Sequence, residues 1–220
     1  MKPLSNQMNR RGFVRTSLSV GAGIAGLSLI PTIGYTTPNA PEESIHIIGP
    51  RDGFSPQIGT LLSMMTWMRT VMLMSVENMK VEDLDYLHDA KSNTVGAMLL
   101  HLAATERNYQ ISTFEWKIDF KGDGKINWDA AMSLGDKGRE SIKGNTPDYY
   151  VNILNETRAK TIEEFKKRDD KWLAKVDPHF FQDKPTNNYC KWFHVCEHES
   201  NHNGQIKWIK SRMPGAKAEE

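Results

Sequence analysis

The sequence predicts an all-α protein, an up-down four-helix bundle with a polar insertion between its second and third helices. Apolar residues recur at three- and four-residue spacing along four long stretches, the period of one buried helix face. Helix-start signals stand in front of those stretches. No stretch shows the two-residue alternation of a half-buried strand.

At 220 residues with a formal net charge of +1, the chain has room for one ordinary domain, and its charge gives no argument for nucleic acid or an anionic membrane as partner. Its two cysteines, Cys190 and Cys196, are too few for a disulfide framework and read as free buried thiols.

Residues 1–40 stand apart from the fold. Arg10-Arg11, then Phe13, precede an apolar, small-residue run from Leu18 to Ile30. This order resembles a twin-arginine export signal, with the twin-arginine translocase as partner during export and a periplasmic or otherwise exported destination. The run is too short for a comfortable membrane span, so none is expected in the mature form. Residues 41–54, with Pro41, Gly49, Pro50 and Gly53, read as a leader loop.

Ser55-Pro56 opens the first helix. Ile58, Leu61, Leu62, Met65, Met68, Met72, Val76 and Met79 carry its face to about Lys80, the Met stripe reading as core filler. A connector from Glu82 leads to a second helix capped by Ser92 or Asn93, with Val95, Met98, Leu99, Leu102 and Tyr109 inward and His101 among them. Residues 115–145 form the insertion. Within it Asp119–Asp129 resembles an EF-hand loop, but Lys121 and Ala130 would fall where calcium needs oxygen donors, so it reads as a charged turn. A short helix is expected near Trp128–Leu134. Thr146-Pro147 opens the third helix, expected to reach about Lys175, with Arg158, Lys160, Glu163, Lys166, Lys167 and Asp170 on a solvated face. The fourth helix spans about Tyr189–Arg212, and residues 214–220 are a tail.

That last helix carries the chemistry. His194, His198 and His202 stand four residues apart, so their imidazoles share one stripe of a helix. Neutral imidazole is a common ligand for divalent metals. His46, His88 and His179 read as surface residues in loops. His198-Glu199-Ser200-Asn201-His202 also fits H-E-x-x-H, but the downstream third ligand that a zinc protease needs is missing.

The longer string H-E-x-x-H-x-G-Q-I instead resembles the closing helix of the DinB-like (DinB/YfiT-like) metalloenzyme family. The stretch G-A-M-L-L-H-L-A-A-T-E-R resembles the family's second helix, in which a His in an apolar run is followed five residues later by Glu. The resemblance covers about Ser55–Arg212, within a bundle domain expected over 55–213. It implies a four-helix bundle and a divalent metal site of His101, His198 and His202, with zinc, nickel, iron or manganese as the ion. It also implies thiol transferase or hydrolase chemistry on a small-molecule substrate or thiol. Glu106, Glu199 and Gln205, with Glu197 and Asn201, are candidates for orienting the ligands, each equally open to a surface or helix-pairing role and Glu106 to pairing with a cation, and His194 reads as an orienting or packed ring. Bundles of this kind often pair, and the sequence leaves the choice between a monomer and a homodimer open. The alternative is a non-catalytic metal- or ligand-binding bundle.

Overall fold

Pro56 opens helix α1 (Pro56–Val76), as the sequence indicates, but the cap comes from elsewhere. Ser55 makes no side-chain capping bond. The Asp170 carboxylate, over a hundred residues away, accepts from the backbone N–H of Gln57 at 3.1 Å and of Ile58 at 3.3 Å, and from the Ser55 hydroxyl. An acceptor and a negative charge at a helix N-terminus are both stabilising. The computed structural model describes residues 44–114 and 124–216, and all that follows concerns those residues. The export-signal reading of 1–40 and the first part of the insertion, 115–123, lie outside them.

Helix α1 stops at Val76, short of the expected Lys80. Glu77 leaves helical geometry (φ −55°, ψ 136°) and Asn78 is left-handed (φ 63°), a conformation Asn tolerates better than most residues. A one-turn helix α2 (Val81–Leu84) follows. Helix α3 (Val95–Thr113) is capped by Thr94, whose hydroxyl accepts from Ala97 N at 3.1 Å, and not by Ser92 or Asn93. Ser92 Oγ donates to the Asp89 carbonyl at 3.0 Å, and Asn93 Oδ1 accepts from Gly135 N at 3.0 Å, so both are engaged elsewhere.

The described part of the insertion holds two short helices, the expected α4 (Trp128–Ser133) and an unexpected α5 (Gly135–Ser141). Helix α6 (Pro147–Phe165) begins at Thr146 as expected. It ends ten residues before Lys175, because Asp169 accepts from Trp172 N at 2.8 Å and starts a separate helix α7 (Asp170–Ala174). The sequence shows no strand signal, yet Val176–Asp177 (β1) and Thr186–Asn187 (β2) form a short antiparallel ladder, Val176 opposite Asn187. Helix α8 (Asn188–Lys210) is capped by Asn187, which accepts from Cys190 N at 2.8 Å.

The protein is all-α in class. Its long helices pack in pairs that close a circuit: α1 with α8, α8 with α3, α3 with α6, and α6 with α1. Two apolar clusters fill the interior. One holds Met72, Leu99, Leu102, Tyr150, Leu154 and Ile206, and the other Ile58, Met65, Phe165, Leu173 and Trp192. The inward Met65 and Met72 are fully buried, which agrees with core filler. Cys196 is buried, but Cys190, expected to be buried too, is exposed. No described helix is long and apolar enough to cross a membrane.

Candidate metal centre

His101 lies mid-way along α3, and His198 and His202 one turn apart on α8; α3 and α8 pack on each other. The structure brings the three rings together, with ring centroids 4.5–5.1 Å apart. One nitrogen from each ring lies within 4.8 Å of the other two. His202 is buried and the other two are half-buried, so the cluster sits at the rim of the interior.

Hydrogen bonds decide which nitrogens are available. A backbone carbonyl can only accept, so His101 Nδ1 donates its proton to Ala131 O at 2.8 Å. That leaves a lone pair on Nε2. The carbonyl belongs to α4, so the insertion helix aims this ring. On α8, His202 Nδ1 faces Gln205 Oε1 at 3.2 Å, while the Gln205 amide donates to Asn201 Oδ1 at 3.2 Å. His202 Nε2 therefore carries a lone pair as well. His101 Nε2 and His198 Nε2 face each other at 2.8 Å, an approach that a shared proton or a shared cation makes favourable.

The donor set fits a divalent ion. Tetrahedral zinc bound by imidazole at 2.0–2.1 Å holds its ligand nitrogens roughly 3.3 Å apart. The separations here, one of 2.8 Å and all within 4.8 Å, are compatible with that value. The rings are also in the right charge state. Burial, then the neighbouring rings of His202, His101 and His194, bring His198 down to about 3. Burial and His101 bring His202 down to about 4. Burial also lowers His101, against the hydrogen bonds to Ala131 and Met132. All three are neutral donors at pH 7.

His194 is not in this group. Its Nδ1 shares a hydrogen bond with the Tyr109 hydroxyl at 3.0 Å, and its ring packs against Phe181, Tyr109 and His198. Burial raises the Tyr109 phenol far above pH 7, so it stays protonated. Cys196 is no nucleophile: burial first, then the Glu199 charge, pushes its thiol up to about 11.

Of the candidate orienting residues, Gln205 touches a ring of the cluster directly. Glu106 and Glu199 do not; they belong to a buried ion network with Arg69 and Arg158. Glu106 accepts from Arg158 Nε at 2.7 Å, Arg158 Nη2 at 3.1 Å, Arg69 Nη2 at 3.0 Å and the Thr161 hydroxyl at 2.6 Å. Glu199 Oε1 accepts from Arg69 Nε at 3.0 Å, Arg69 Nη2 at 2.6 Å and Arg158 Nη2 at 2.8 Å. Burial works against the Glu106 carboxylate, but Arg158 and Arg69 outweigh it and hold its pKa below the ordinary value. Arg158 was assigned to a solvated face and is in fact buried. Its spacing gave the signal: it stands four residues after Leu154 and three before Thr161, on the inward stripe. Arg69 went unread although it stands between Met65 and Met72 on the inward stripe of α1. Asp170 was also placed on the solvated face, and it caps α1 instead. The exposed His179 and half-buried His88 lie in loops away from the cluster, His179 paired with Asp183 and His88 against Trp208.

A mostly helical fold with three neutral imidazoles meeting from two helices defines a class of helical protein equipped to hold a divalent ion. Residues 60–215 match the family described as Mycothiol-S-transferase. The chain belongs to that family, which is DinB/YfiT-like and metal-dependent. No match was found among curated proteins.

Proposed function

We propose that this chain is an exported, metal-dependent enzyme in which His101, His198 and His202 hold a divalent ion beside a small-molecule substrate. The observation that carries the reading is the meeting of three imidazole nitrogens from α3 and α8 in a chain of the mycothiol S-transferase family. Three protein donors leave further positions to exchangeable ligands, the layout of a catalytic site. Zinc, nickel, iron and manganese all accept imidazole. When bound, such an ion supplies a Lewis acid that makes a thiol or a water acidic near neutral pH.

The chain's own residues orient and shelter the reaction. Ala131 O and Gln205 fix the His101 and His202 rings. Beside them is a cleft of about 540 Å³ lined by Lys91, Asn93, Met98, Asn201, Gln205 and Trp208, within the range of small-molecule sites. Gln205 belongs to both the cleft and the His202 hydrogen bond, so a substrate seated there lies next to the cluster.

The family match favours transfer of a low-molecular-weight thiol: sulfur forms a bond to an electrophilic carbon, the leaving group departs with its electron pair, and the thiol proton passes to solvent. The export reading of Arg10-Arg11 and the apolar run keeps hydrolysis as the rival, because exported compartments hold little reduced thiol. Metal-loaded protein assayed with mycothiol or glutathione plus 1-chloro-2,4-dinitrobenzene, and separately with p-nitrophenyl acetate, decides between them. Thiol-dependent turnover abolished by His202→Ala supports transfer, and thiol-independent ester cleavage lost in the same variant assigns hydrolysis. Turnover that survives His202→Ala contradicts the metal reading. No turnover together with strong stabilisation by metal favours the non-catalytic alternative.

A further inference from the structure

The ion network occupies a particular place in the fold. On every long helix its member falls, in sequence, between the two apolar clusters. On α1, Arg69 stands between Met65 of one cluster and Met72 of the other; on α3, Glu106 stands between Tyr109 and Ala104. On α6, Arg158 stands between Phe165 and Leu154, and on α8, Glu199 stands between Cys196 and Ile206. Four charged side chains, all under a tenth exposed, thus form a polar layer through the interior.

The division of labour is equally regular. Each histidine-bearing helix supplies a carboxylate and neither supplies an arginine. Glu106 follows His101 by five residues on α3; Glu199 stands next to His198 and three residues before His202 on α8. The two helices without these histidines supply the guanidinium groups, and each group reaches both carboxylates. Arg69 also donates to Leu154 O of α6 at 3.0 Å, and Arg158 to Met65 O of α1 at 3.1 Å. Every one of these bonds crosses between helices.

We infer that the Arg69–Glu106–Arg158–Glu199 network is the device that sets the axial register of α8 against α3, and so the geometry of the histidine cluster. Arg69, Glu106, Arg158 and Glu199 are positioning residues. Apolar contacts are a weak register stop here, since Met, Leu and Ala surfaces repack with small shifts. A slip of one residue moves a helix by about 1.5 Å, whereas metal–ligand distances tolerate about 0.2 Å. Two carboxylates clamped by shared planar forks do not permit that slip without leaving buried charges unpaired. Fixing register is also the best-attested use of buried polar groups. One acceptor of the network, Glu199 Oε2, is buried without a hydrogen-bond partner, which suits a carboxylate retained for placement more than for stability.

This inference rests on the three histidines being a metal site, and zinc alone is the probe. Arg69→Lys keeps the charge but removes the fork that spans both carboxylates. The expected result is native helical content with the zinc Kd raised tenfold or more, and a changed visible spectrum for the cobalt(II)-loaded protein, because groups that orient ligands typically control affinity by 10–100-fold. A four-way apolar variant, Arg69→Met, Glu106→Leu, Arg158→Met and Glu199→Leu, removes the layer without leaving a lone buried charge and is expected to show the same two changes. Leu173→Ala, in the core far along the chain from the cluster, should lower Tm while leaving Kd and the cobalt spectrum alone. A folded Arg69→Lys or four-way variant with wild-type Kd and spectrum overturns the inference. A wild-type protein that takes up no zinc overturns the metal reading beneath it.

Discussion

At the scale of single residues, burial and clustering decide the chemistry. His198 and His202 are lowered to about 3 and about 4 from an ordinary 6.5, in both cases with burial as the largest cause. In the unfolded chain they take up protons near pH 6.5, and in the folded metal-free protein only well below it. Between those values the unfolded state binds more protons, so stability falls as pH falls. The metal-free protein should therefore hold steady from pH 8 to about 6.5 and lose Tm progressively below that, and the loss should shrink in His198→Ala. Glycine 96 supplies a second residue-scale test. A Cβ there would sit 2.6 Å from the Tyr150 hydroxyl, so Gly96→Ala should destabilise by about 1–3 kcal/mol through overpacking, outweighing a helix-propensity gain of up to about 1 kcal/mol. Urea denaturation measures the difference. The grouping of His101 with His198 and His202 was legible because a four-residue spacing puts two rings on one face and a family resemblance supplies the third. The Ala131 carbonyl that aims His101 was not, because a backbone acceptor on another helix has no signature in side-chain types.

At the scale of elements, helix starts were more legible than helix ends. Pro56, Pro147 and the Thr146 cap announce themselves, whereas α1 ends early at a left-handed Asn78 and α6 ends before Asp169 opens a new helix. An apolar stripe continues across such breaks, since the residues beyond them still face the core. Asp170 shows how a cap can come from a distant element: only the fold brings it to the start of α1. Asp170→Ala should cost about 0.5–2 kcal/mol, seen as a lower urea midpoint, with metal uptake unchanged because the cap it removes, at Gln57 and Ile58, lies about three turns before Arg69 on α1. The buried arginines escape a reading by charge for a related reason. Charge type argued for solvent, while spacing placed Arg69 and Arg158 inward, and here spacing was the better guide.

At the scale of the whole molecule, two apolar clusters with a polar layer between them leave the histidine cluster at the rim of the interior, joined through the His202–Gln205 hydrogen bond to the cleft that Gln205 lines. An ion that binds only the folded state stabilises it by mass action, about 2.7 kcal/mol at a hundredfold excess over Kd, so Tm should rise with zinc concentration and a chelator should reverse the rise. The export reading makes its own prediction, that replacing Arg10 and Arg11 together by Lys leaves the protein in the cytoplasmic fraction. The most direct test of the central claim is elemental analysis of the protein purified from metal-replete cells, beside its His101→Ala, His198→Ala, His202→Ala triple variant. About one divalent ion per chain in the wild type and none in the folded variant is the predicted result; an empty wild type, or a variant that still carries its ion, contradicts it.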